Sequence, residues 1–267
     1  MATMTLPSAT TPRADTKSVV PPAVSAEQWD LAQRIHRSML PRDFRDERVE
    51  VAVRCEEHDI IGGDYCSLFK TDDDKLFLCI CDVTGHGVAA ALLAGRINSF
   101  VRQEVTTAGH PCQVVDHLNR FVSSHFSGLG VYASFFCVEI DLRWQGVTYA
   151  GAGHPAALLW HNRGAIERLE SGLPPIGISA DMGQSCRLEK TSVQPGDRLF
   201  LFTDGVTETR DSAGRFFGIE GIEAVLRSLP ADTESGEALD QILSARCRFS
   251  DGEPAADDVL ALAARFF

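Results

Sequence analysis

The sequence predicts an α+β fold, and three observations carry that expectation. Strand-like blocks and paired helical stretches are segregated along the chain instead of strictly alternating, which disfavours a doubly wound parallel sheet. Hydrophobic residues make up 44% of the 267 positions and charged residues 23%, proportions of a chain that buries a core and not of a disordered one. No internal repeat interrupts the order of elements, so the length points to one large domain or two small ones.

Residues 1–24 are rich in Thr, Ser, Pro and Ala without periodicity and read as a flexible tail. A helix follows in SAEQWDLAQRIHRSMLP: Ser25 and Gln28 form a capping box, Leu31, Ile35 and Met39 recur every four residues, and Pro41 stops it. Two readings stand for this 25–43 segment. It either packs on its own domain, or acts as a linker that docks a regulator or a second copy and transmits a signal. From Arg48 the chain becomes strand-like, with Val49, Val51 and Val53 alternating, then IIGGDYCSLFK, a turn at Thr71–Asp74, and KLFLCICDV. That Asp-rich turn lacks the alternating ligands and following glycine of a calcium loop. VAAALLAGRINSFVRQEV after Gly87 reads as a helix, and residues 112–127 as a second. VYASFFCVEIDL, GVTYAGAG and AALLWHN read as three strands, with more β structure at 186–193 and 197–203. Helices are expected at 219–229 and 235–248, and DDVLALAARFF closes the chain as a strand.

Composition narrows the function. Lys and Arg number 25 against 37 Asp and Glu, a formal charge of −12, which argues against nonspecific nucleic-acid binding and is compatible with binding metal cations. No apolar run approaches the roughly 18 residues that a membrane helix needs. The N-terminus lacks an apolar signal core and is broken by Arg13, Asp15 and Lys17, so a soluble, unexported, cytoplasmic protein is expected. The eight cysteines contain no CxxC. Thiols are expected throughout, with Cys79 and Cys81 serving as small core hydrophobes on one face of a strand.

Four acidic positions stand at strand edges: Asp64 in GGD, Asp82 in CICDVTGHG, Asp204 in RLFLFTDG, and the Asp257–Asp258 pair. At Asp82 and Asp204 a bulky apolar run drives the strand into the core, and an aspartate at its rigid end is well placed to hold a ligand. Glycine nearby lets backbone approach closely. Any one of these is also an ordinary Asp-Gly turn. Several together would repel in a low-dielectric site and persist when a divalent cation neutralises them, and all-oxygen ligands select Mg²⁺ or Mn²⁺ over zinc.

GGDYCSLF, DVTGHGVAAALL, AGHPAALL, LFLFTDGVTETRD with RFFG, and DDVLALAARF, in that order, resemble the PPM metal-dependent serine/threonine protein phosphatases. More narrowly they resemble the bacterial branch named for the stage II sporulation protein E. The resemblance runs from about residue 44 to the end, so residues 44–267 are expected to form the phosphatase domain. It implies a four-layer α-β-β-α sandwich with two central antiparallel sheets, and two divalent cations, Mn²⁺ or Mg²⁺, around a water that attacks phosphoserine or phosphothreonine. By motif, Asp82 bridges both metals, the Val83 backbone carbonyl and Asp64 serve one, and Asp204 and Asp257 hold the other. Asp258 is the weaker ligand candidate because its neighbour points to the opposite side of a strand. The resemblance also implies a phosphorylated regulatory protein as substrate, such as an anti-sigma-factor antagonist in bacterial partner switching.

His86 has two readings, a proton donor to the leaving serine oxygen or a hydrogen-bonding member of the glycine turn. His154 is read as structural and Glu208 as a tie for the segment after Asp204. The family pattern departs at Ser67, where another aspartate is common, and this neutral residue supports an alternative, a catalytically weak binding module on the same fold. Only residues 1–43 precede the catalytic region, so no separate sensor domain is expected. A GGDEF-type cyclase is disfavoured by Tyr65 in place of the acidic residue. A cysteine phosphatase loop is disfavoured because the one C-x5-R, Cys137 to Arg143, alternates like a strand.

Overall fold

A computed structural model describes residues 24–107, 109–126, 128–143, 146–162, 164–182, 186–253 and 255–267. Apart from Val24, the segment expected to be a tail lies outside the described residues. Helix α1 (Ala26–Arg37) is capped as its sequence demands: the Gln28 amide donates to Ser25 Oγ and the Ser25 amide to Gln28 Oε1. Strands β1 (Phe44–Arg45), β2 (Val49–Glu56), β3 (Tyr65–Lys70) and β4 (Lys75–Val83) lead into helices α2 (Val88–Thr107) and α3 (Pro111–His125). Strands β5 (Ala133–Asp141), β6 (Gly146–Ala152), β7 (Ala157–Trp160), β8 (Ile166–Leu169), β9 (Glu189–Ser192) and β10 (Arg198–Phe202) come next. The short α4 (Asp204–Thr207), α5 (Gly218–Ser228), α6 (Ser235–Phe249) and β11 (Val259–Phe266) complete the chain.

The strands form a six-stranded sheet in the order β1-β2-β11-β10-β7-β8 and a five-stranded sheet in the order β3-β4-β5-β6-β9. Every pairing between two of these strands is antiparallel. The layering follows from side-chain alternation. Along β4, Phe77, Cys79, Cys81 and Val83 pack with α2 and α3, while Leu76, Leu78 and Ile80 face the other sheet. Along β11, Leu260, Leu262 and Ala264 face that same inter-sheet core, while Val259, Ala261 and Ala263 pack under α5 and α6. Three apolar seams therefore separate four layers, α-β-β-α, as the resemblance implied. A strand buried on both faces reads as one continuous apolar run, which is why LFLCICDV and VLALAARF show little polar alternation.

One open reading is narrowed and one expectation is corrected. Leu31 and Ile35, the apolar stripe of α1, are 54% and 59% exposed, and the residue the helix buries is His36. The helix is instead held by polar contacts to Glu57. Cys112 and Cys186 form a disulfide between the start of α3 and the segment before β9, so the cysteines are not all thiols. Cys79 and Cys81 are fully buried in the core as expected.

Candidate metal centre

The acidic positions meet because of strand register. Tyr65 pairs with Cys81 across β3 and β4, and continuing that antiparallel ladder by one residue sets Asp64 opposite Asp82. In the other sheet Phe202 pairs with Ala261, so the end of β10 and the start of β11 carry Asp204 and Asp257–Asp258 to the same end of the sandwich. The glycines beside them are required by space. A Cβ on Gly63 would lie 2.7 Å from the Val83 carbonyl oxygen, one on Gly62 1.9 Å from Asp258 Oδ2, and one on Gly205 1.9 Å from the Asp258 carbonyl oxygen.

Crowding of like charge shows in the proton affinities. Asp64 is only 4% exposed, and burial followed by the charge of Asp82 holds its carboxyl well above the usual range, even though the Thr203 hydroxyl donates to Oδ2 at 2.7 Å. Burial, then Asp204, Asp257 and Asp258, push Asp82 up to about 7. Burial, then Asp257 and Glu208, push Asp204 up to about 6. Carboxylates that resist ionisation side by side are a donor set that a divalent cation would discharge, and their oxygens suit Mg²⁺ or Mn²⁺. The residues present therefore fit the implied ions. As they stand, among the described residues, no three His, Cys, Asp or Glu side chains are grouped closely enough to hold a metal ion, so the carboxylates would have to draw together around one.

The predicted residues differ in placement. Asp82 and Asp204 are half-buried and Asp257 is exposed. The Val83 carbonyl lies against Gly63. Asp258 is buried with both oxygens engaged by backbone, Oδ1 accepting the His58 amide at 2.8 Å and Oδ2 the Gly63 amide at 2.9 Å. His86 is exposed, and its Nδ1 lies 2.6 Å from Asp59 Oδ2. Burial pushes His154 down to about 3, and its Nδ1 shares a 2.7 Å hydrogen bond with Ser134 Oγ, consistent with a structural part. Glu208 is exposed and close enough to Asp204 to raise its pKa. Ser67 is 2% exposed, and its hydroxyl has no hydrogen-bond partner among the described residues.

Sequence reasoning missed Asp59 and Thr203. Asp59 lies 27 positions before His86, and no spacing rule links them. Thr203 sits beside Asp204, yet its target, Asp64, is 139 positions away.

Two antiparallel sheets sandwiched by helix pairs, with aspartates converging at one end, define the PP2C type of phosphatase fold. The SiaA PP2C domain of Pseudomonas aeruginosa superposes with a TM-score of 0.76 at 20% identity, covering 90% of this chain and 96% of that one. RsbX in complex with magnesium superposes with a TM-score of 0.63 at 14% identity, over 85% of this chain and 99% of that one. The family model described as Stage II sporulation protein E (SpoIIE) matches residues 72–267, and the chain belongs to that family. The phosphoserine phosphatase RsbP of Bacillus subtilis is 29% identical over 193 residues, 71% of this chain and 47% of RsbP. The chain spans about half the length of the curated relatives it matches. No helix among the described residues is long and apolar enough to cross a membrane.

Proposed function

We propose that this chain is a metal-dependent protein serine/threonine phosphatase that hydrolyses phosphoserine or phosphothreonine on a regulatory protein. The observation that carries the reading is the gathering of Asp64, Asp82, Asp204 and Asp257 at one end of the two sheets, with Asp82 pushed up to about 7 by burial and then Asp204, and Asp204 up to about 6 by burial and then Asp257. Asp82 would be the ligand shared by the ions, with Asp64 and the Val83 carbonyl available to hold one and Asp204 and Asp257 available to hold the other. Asp258 holds the loop in place through its two amide contacts and is the weaker ligand candidate of the set. Two Mn²⁺ or Mg²⁺ ions, when bound, supply the positive charge that makes water a nucleophile near neutral pH and offsets charge developing on the phosphoryl oxygens.

The chain's own groups handle the rest. With Nδ1 turned to Asp59, the His86 ring keeps Nε2 free to carry a proton for the departing serine oxygen. Its 72% exposed side chain is open to a protein substrate. The similarity to RsbP supports phosphoserine as the substrate group, and an anti-sigma-factor antagonist is the partner that the reading favours. Residues 44–267 form the catalytic domain in this reading, residues 25–43 the linker that governs it, and the protein works in the cytoplasm.

The test is phosphate release from a serine-phosphorylated protein by the purified chain with Mn²⁺. Turnover should require the cation and vanish in Asp82→Asn and Asp204→Asn while both variants stay folded. Undiminished turnover in either folded variant would sink the assignment.

A further inference from the structure

We infer that Glu57 is a positioning residue through which helix α1 sets the affinity of the candidate cation site, an inference that rests on the metal-centre reading above. The Glu57 side chain is only 6% exposed. One oxygen, Oε2, accepts from Gln33 Nε2 at 3.1 Å and from Arg37 Nε and Nη2 at 3.1 and 2.7 Å, while Oε1 lies 3.3 Å from His36 Nδ1. Residues 33, 36 and 37 share one helical face, so a single turn of α1 grips a single carboxylate. Exposed ion pairs contribute little to holding a helix. This one is different, because a buried carboxylate that loses its donors keeps its full desolvation cost.

The grip is transmitted by the chain itself. The next residue, His58, donates its amide to Asp258 Oδ1, and Asp258 Oδ2 accepts from the amide of Gly63, the residue before Asp64. Residues 57–64 are thus a loop clamped by α1 at one end, laced onto Asp258 in the middle and ending on a proposed ligand. The loop lies close against Asp258 at Gly62, where a Cβ would stand 1.9 Å from Asp258 Oδ2. The apolar stripe of α1 makes no competing claim, because Leu31 and Ile35 remain exposed while the polar face of the helix holds Glu57. Moving α1 therefore moves the backbone that orients Asp64 and Asp258.

The experiment is Mn²⁺ titration calorimetry on the full chain, paired with kcat on a small aryl phosphate as a function of Mn²⁺. Glu57→Ala should weaken Mn²⁺ binding on the order of tenfold, the effect of removing a group that orients metal ligands. The loss should fall more on metal affinity than on kcat at saturating Mn²⁺, and Glu57→Gln, which keeps an acceptor for Arg37, should recover part of it. Arg37→Ala removes a side chain that is 61% exposed and keeps the test alive should Glu57→Ala fail to fold; it should shift the affinity in the same direction by less. Folded Glu57→Ala or Arg37→Ala protein that binds Mn²⁺ like the wild type would overturn the inference and leave Glu57 as a helix anchor. Asp82→Asn separates the two claims, because wild-type Mn²⁺ binding by that variant overturns the metal centre itself.

Discussion

Asp82→Asn keeps the shape of the side chain and removes one charge from the crowd, so it isolates the electrostatics of the site. In the folded chain, burial and then Asp204, Asp257 and Asp258 push the Asp82 carboxyl from its ordinary 3.8 up to about 7. A carboxyl raised by folding favours the folded state fully below about 3.8, and that contribution is lost as pH rises through about 7. About three units at ~1.4 kcal/mol each set an upper limit of ~4 kcal/mol, which side-chain rotation and entering water reduce to roughly 1–3 kcal/mol. For a chain of this size that is roughly 3 to 10 °C in Tm. Thermal unfolding in EDTA near pH 8 should therefore find the Asn variant more stable than the wild type, and the gain should shrink as pH falls from about 8 towards 4. Added Mn²⁺ should reverse the ranking, because the cation binds the folded wild type and raises its Tm, whereas the variant has lost the shared ligand. If the Asn variant melts no higher than the wild type in EDTA at the higher pH, or responds equally to Mn²⁺, the carboxylates do not form a common site.

Two further outcomes test the cradle around those charges. Gly63→Ala places a methyl group 2.7 Å from the Val83 carbonyl oxygen and 3.1 Å from Ala90 Cβ, so it should destabilise the chain by about 1–3 kcal/mol and weaken Mn²⁺ binding together; unchanged binding in calorimetry would remove the Val83 carbonyl from the ligand set. Ser67→Asp puts a carboxylate where a buried hydroxyl has no partner among the described residues: Tm in EDTA should drop by several degrees, and Mn²⁺ affinity should rise on the order of tenfold. A lower Tm with unaltered Mn²⁺ affinity would show that position 67 does not face the cations.

The sequence alone determined the parts that depend on short-range periodicity and on residue chemistry. Bulky runs such as LFLCICDV and RLFLF have no alternative to a buried strand, and Ser25 with Gln28 specifies the start of α1 regardless of what lies around it. The helices expected at 219–229 and 235–248 stand at Gly218–Ser228 and Ser235–Phe249 for the same reason. The residue type at each strand end, aspartate beside glycine, was legible as well. Tertiary structure alone decided which groups meet. Asp59 reaches His86, Thr203 reaches Asp64, Cys112 reaches Cys186, and Glu57 reaches α1, over separations that no local rule spans. It also decided the fate of Leu31 and Ile35, whose helical spacing reads as a buried stripe but whose face meets no partner among the described residues, while the polar face of the same helix is the one that docks. Periodicity specifies that a face exists, and only the packing of distant elements specifies whether anything covers it.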